Sequence, residues 1–205
     1  MRIRTLALAS AALSTALLLT GCSPSGTSGG MAGMDHGSSS SSTPAESDAE
    51  FNAADQTFVT MMIPHHQQAI EMADMLLAKD GIDERVIELA QQIKDAQGPE
   101  IETMQDWLED WGISADDSSM GGMEGMDHGG GMMSDDSMTA LESATGVEAT
   151  RLFLQGMIEH HNGAIMMAEM ELSNGQNPDV LELAQQVIDG QKAEVTTMQE
   201  ILDSL

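Results

Sequence analysis

From Phe58 onward, apolar residues return with the period of a helix. Phe58, Met62, Ala69, Met72, Ala73 and Leu76 share one side with His65, while Gln67, Glu71 and Asp74 fall opposite. The spacing predicts an amphipathic helix. After the breaker Lys79-Asp80-Gly81-Ile82-Asp83, a second stripe runs through Val86, Leu89, Ala90, Ile93, Ile101, Met104, Leu108 and Trp111, which predicts a second helix. Further on the pattern repeats. "FVTMMIPHHQQAIEMADM" from Phe58 aligns with "FLQGMIEHHNGAIMMAEM" from Phe153. "ELAQQI" from Glu88 and "EIETMQ" from Glu100 align with "ELAQQV" from Glu182 and "EVTTMQ" from Glu194. The second stripe of the later copy runs through Val180, Leu183, Ala184, Val187, Met198 and Leu202, with the polar Glu194 among them.

So many identities in register mark a duplicated unit. Each unit is a helical hairpin, so the chain is predicted to be all-α: a four-helix bundle of two duplicated hairpins joined by a long Gly/Met-rich crossover. Pro64 and Pro99 sit inside the first pair of stripes, where the second copy has Glu159 and Ala193. Because the periodicity runs on through both, they predict local kinks in continuing helices. The bundle is expected over 49–205, as a first hairpin at 49–113, a Met/His/Gly-rich linker at 114–138 and a second hairpin at 139–205.

The first residues read differently. "MRIRTLALASAALSTALLLTGC" has a basic start and an apolar run too short to span a bilayer. It predicts an export signal over 1–21. Leu19-Thr20-Gly21-Cys22 resembles a bacterial lipobox, in which the cysteine is lipidated, and Cys22 is the one cysteine in the chain. Residues 22–48 then form a Gly/Ser/Met tether to the anchor. The expected location is the cell envelope, on the outer face of the cytoplasmic membrane or in the periplasm or outer membrane.

Charge narrows the partners. The formal net charge is -27, from 34 acidic and 7 basic residues, and removal of Arg2 and Arg4 with the signal makes it more negative. Such a chain disfavours nucleic acid and favours cations. With no thiol free beyond the lipidated one, the ligands left are His, Met and carboxylates.

Methionine is abundant, at 19 residues against three Phe and no Tyr. On the helices, His65 with Met61 and Met62, then Met72 with Met75, lie within reach of common ions, and His66 points about 100° away from His65. The second copy repeats this with His160, His161 and Met157, then Met167 and Met170, with Gly156 in place of Met61. Methionine at such spacing also fills cores, but a duplicated packing solution does not require buried imidazole, which must be desolvated and partnered. The polar stretches have no core to fill. "GMDHG" occurs twice, placing Met34 and His36 in the tether and Met126 and His128 in the linker, near Met123. Thioether with imidazole selects copper(I), with silver(I) as its surrogate, and adjacent Asp or Glu can hold copper(II).

The paired "HHQQAIEMADM" and "HHNGAIMMAEM" resemble the bacterial ferritin-like family catalogued as domain of unknown function 305, over roughly residues 49–205. The resemblance implies a four-helix bundle, an envelope location and, for some Met- and His-rich members, copper binding linked to metal tolerance. Its motif positions are His65, His66, Met72 and Met75, with His160, His161, Met167 and Met170.

The leading function is therefore a copper-binding envelope lipoprotein that buffers, sequesters or transfers the metal, with metal ions, a membrane and a copper-handling protein as partners. The alternative is a lipid-anchored interaction or stress module with a Met-rich core. A di-metal oxidase is disfavoured, because no Glu-x-x-His occurs in the chain, and Glu100 and Glu194 read as solvated. The chain is not expected to be an enzyme.

Overall fold

The computed structural model describes residues 51–113 and 130–205. The export signal, Cys22, the tether and Met34, His36, Met123, Met126 and His128 lie outside them. Five helices follow in order: α1 Ala53–Leu77, α2 Glu84–Asp110, α3 Asp135–Ser143, α4 Gly146–Asn174 and α5 Pro178–Asp203. No strand occurs among the described residues. The architecture is the all-α bundle expected from the duplicated stripes.

Three of the four long helices start where a side chain accepts from the first free N–H groups, whereas α4 follows Thr145 without a side-chain cap. Asn52 caps α1 and exchanges hydrogen bonds with Asp55 in a capping box. Asp83 caps α2, and Asn177 caps α5 ahead of Pro178. Both internal prolines are carried inside continuous helices, Pro64 in α1 and Pro99 in α2.

The hairpins pack as α1 on α2 and α4 on α5, and they meet along a seam between α1 and α4, while α2 and α5 touch little. Two apolar clusters fill the bundle. One gathers Met72, Leu76, Ile93, Leu141, Phe153, Met157 and Met198; the other gathers Phe58, Met62, Met104, Leu108, Met167 and Val187. Burial of each such side chain stabilises the fold by roughly 1.5–3 kcal/mol. Most stripe positions point inward. At the end of α5, Ile201 is the buried residue and Leu202 is only partly covered, so the inward face there lies one position earlier than the stripe suggests.

The crossover departs from the expectation of an irregular linker up to 138. Its last part forms α3, because Ser134 caps the helix, Asp135 and Asp136 complement its N-terminal dipole, and Leu141 is fully buried. Ahead of α3, residues 130–133 form a strap across the α1–α4 seam. Gln68 holds it with two hydrogen bonds, donating Nε2–H to the Met133 carbonyl at 3.0 Å and accepting the Met133 N–H at 2.8 Å. Gly131 takes φ +76°, open to glycine, and presses on Gly163, where a Cβ would overlap the Gly130 carbonyl.

Candidate metal centre

The two apolar clusters are separated by a polar layer midway along the seam. His65 and His66 lie between Met62 of one cluster and Ala69 of the other, and His160 and His161 lie between Met157 and Ala164. All four histidines are buried. Equivalent residues of the two copies meet here: the rings of His65 and His160 lie with centroids 3.7 Å apart and planes tilted by 38°. His66 and His161 flank that pair, at 6.5 Å from His65 and 6.4 Å from His160.

Three of the four rings have one nitrogen fixed by a partner. His66 donates Nε2–H to Glu100 at 2.8 Å, and His161 donates Nε2–H to Glu194 at 2.6 Å. His65 donates Nε2–H to the Gly130 carbonyl of the strap at 2.6 Å. The acceptors, two carboxylates and a carbonyl, place the proton on Nε2 and leave the lone pair on Nδ1. Those three Nδ1 atoms, and both ring nitrogens of His160, are buried with no hydrogen-bond partner. Burial, opposed by the strap carbonyl and reinforced by the neighbouring histidines, lowers the His65 pKa to about 4. Burial and then the proximity of His65 lower that of His160 to about 2. At neutral pH both are uncharged bases with lone pairs in a dry interior.

Glu100 and Glu194 were expected to be solvated, but each is mostly covered, at 22 % and 20 % exposure, and reaches the histidine of its own hairpin. A carboxylate on the far nitrogen of an imidazole orients the ring and makes its other nitrogen a better ligand. The signal was present in the sequence as the one glutamate shared by "EIETMQ" and "EVTTMQ".

The methionines divide into three settings. Met62, Met72 and Met157 are wholly enclosed in the apolar clusters. Met75 is partly buried. Met61, grouped with His65 by spacing, lines a groove with Met167 and Met170. Met167 also reaches towards the layer, since its sulfur and the His65 ring both flank Gly130. Among the described residues, no three His, Cys, Asp or Glu side chains already converge on a common ion position. The donors that fit a soft or borderline cation are the orphaned imidazole nitrogens, with thioethers beside them.

The sequence profile of the family described as domain of unknown function DUF305 matches residues 55–202. The chain belongs to the DUF305 family. Solved structures agree with this. A DUF305 fragment from Deinococcus radiodurans is 29 % identical with a TM-score of 0.66, covering 75 % of this chain and 98 % of its own. CopM in its Cu(II)-bound form is 35 % identical with a TM-score of 0.61, covering 73 % and 96 %. CopM in its Cu(I)-bound form is 32 % identical with a TM-score of 0.59 over the same shares, and CopM has also been solved with silver. Among curated proteins there is no match. The DUF305 fold assignment and the helical hairpins therefore stand together.

Proposed function

We propose that this DUF305 protein binds copper in the cell envelope and buffers, sequesters or transfers it, as a binder rather than a catalyst. The observation that carries the reading is the His65–His160 pair: uncharged, buried and with unpartnered ring nitrogens at the seam. Leaving such nitrogens unpaired in a dry core costs about 1–3 kcal/mol each, and a cation that accepts their lone pairs removes that cost. CopM, similar in fold and sequence, binds Cu(I), Cu(II) and silver, which supports copper as the ion here. Glu100 and Glu194 act as braces on His66 and His161 in this reading. That use of the carboxylates disfavours a di-metal oxidase, whose glutamates bind the metals directly.

Export and lipidation at Cys22 would place the metal-binding bundle at a membrane surface, and no helix among the described residues is long and apolar enough to cross one. Competition against a chromophoric copper(I) chelator tests the function. The wild-type protein is expected to withdraw copper from the chelator, and His65→Ala with His160→Ala to withdraw less. Equal retention by the double variant would move the site off the seam. Retention no better than that of an acidic protein without methionine would end the copper reading.

A further inference from the structure

The polar layer extends beyond the histidines. On α2, Gln97 stands between Ile93 of one apolar cluster and Met104 of the other, and on α5 Gln191 stands between Ile188 and Met198. All four long helices therefore pass from one cluster to the other through polar residues. Gln97 and Gln191 are 2 % and 4 % exposed. Both polar atoms of the Gln97 amide, and the amide oxygen of Gln191, are buried without a hydrogen-bond partner.

The two glutamines are copies of one another. "QGPE" from Gln97 aligns with "QKAE" from Gln191, so in each hairpin the glutamine lies three residues before the glutamate that braces a histidine. Residues three apart are neighbours on a helix, which sets each amide one turn from its brace. Every other buried residue of α2 and α5 is apolar. Leucine or methionine would fill the same place, whereas an amide there must be desolvated without a partner, a cost that the fold does not require. Both copies bear it.

Among the described residues no three His, Cys, Asp or Glu side chains converge on one ion position, so an ion on the His65–His160 pair must take further ligands from other groups. The two oxidation states of copper differ in what they accept. Cu(I) is served by soft thioether and imidazole, whereas Cu(II) favours a tetragonal shell of nitrogen and oxygen, water included. An amide supplies both needs of the divalent ion, an oxygen for the metal and N–H groups for its water. We infer that Gln97 and Gln191 are specificity-determining residues of the histidine layer, whose amides let it hold Cu(II) as well as Cu(I). The inference rests on the copper reading and adds the part of the site that tells the two oxidation states apart.

The experiment measures Cu(II) and Cu(I) affinity separately on the full-length protein, lipid anchor included, each against a chelator of that oxidation state. Cu(II) paramagnetic resonance spectra and urea denaturation of the metal-free protein accompany it. The component of the spectrum that disappears in His65→Ala with His160→Ala marks the layer. Gln97→Leu with Gln191→Leu is expected to change that component, to weaken Cu(II) binding by about 10–100-fold and to leave Cu(I) binding as it was. Gln97→Met with Gln191→Met, which keeps the shape and replaces the amides by thioethers, is expected to lose Cu(II) likewise and to hold Cu(I) at least as well. In both double variants the urea midpoint of the metal-free protein should rise, because the unpartnered amides are gone. An unchanged Cu(II) affinity and spectrum, an equal loss of both ions, or a lowered urea midpoint in both double variants would overturn the inference and leave the copper reading standing. Failure of the wild-type protein to withdraw either ion from its chelator would end both.

Discussion

Glu100 on α2 accepts the Nε2 proton of His66 on α1 at 2.8 Å, and the second hairpin repeats the contact between Glu194 and His161. Each brace spans two helices of one hairpin, so it sets the ring that flanks the seam without crossing the seam. Glu100→Ala should strand a buried N–H and destabilise the fold by about 1–3 kcal/mol. Glu100→Gln keeps an acceptor and should cost less. Copper affinity of the seam should drop by about 10–100-fold in the alanine variant. Urea denaturation alongside chelator competition checks both, and an alanine variant with wild-type stability would show that the brace carries no weight.

Stability should pass through a maximum near pH 6.5. His65 and His160, with pKa values lowered to about 4 and about 2 in the folded chain, contribute stability that is present above their ordinary value of 6.5 and is lost as pH falls. Asp55, held low by backbone hydrogen bonds despite burial, adds to the loss at still lower pH. Glu171 runs the other way. Burial and the neighbouring Asp55 raise its pKa from 4.5 to about 8, so its contribution is present below 4.5 and is lost as pH rises through 8. Below 6.5 two histidines outweigh one glutamate. Denaturation midpoints across pH 4–9 should show this peak, and Glu171→Leu should flatten its alkaline side; an unchanged alkaline decline would contradict the assignment.

The strap gives a comparison between two glycines of α4. A methyl at Gly163 would meet the Gly130 backbone, while one at Gly156 would meet the flexible end of Met133. Gly163→Ala should therefore destabilise by about 1–3 kcal/mol, more than Gly156→Ala, and should speed amide exchange at Gly131 and Met133. Equal effects of the two variants would show that the strap is not seated on Gly163.

Gln68→Ala removes both hydrogen bonds to Met133. Local opening of residues 130–133 is expected, with a loss of about 1–3 kcal/mol and no change in the helicity measured by circular dichroism. Loss of helix signal would instead place Gln68 in support of the whole bundle.

The helices were legible because Phe58, Met62, Met72 and Leu76, like their copies, obey a period that only one backbone satisfies. The pairing of His65 with His160 was less so, since a stripe shows which way a residue points but not which residue it meets. Met61 also lines a groove beside Met167 and Met170 of α4, a neighbourhood between helices that spacing along one helix does not show. The strap left its mark where the copies differ: Gly156 and Gly163 replace Met61 and Gln68, and those are the places where residues 130–133 sit. Likewise Glu171 in place of Leu76 marks its hydrogen-bonded contact with Asp55. Differences between repeats carried more about the site than their identities did.

Two equal hairpins facing one another would present His65 and His160 as interchangeable. The strap makes them unequal, since its Gly130 carbonyl takes the proton of His65 and leaves both nitrogens of His160 without a partner. A single connector can lie on only one side of a two-fold axis. Fusing the copies into one chain thus gives the seam a handedness: one imidazole is held in a chosen tautomer, and its twin is left to choose.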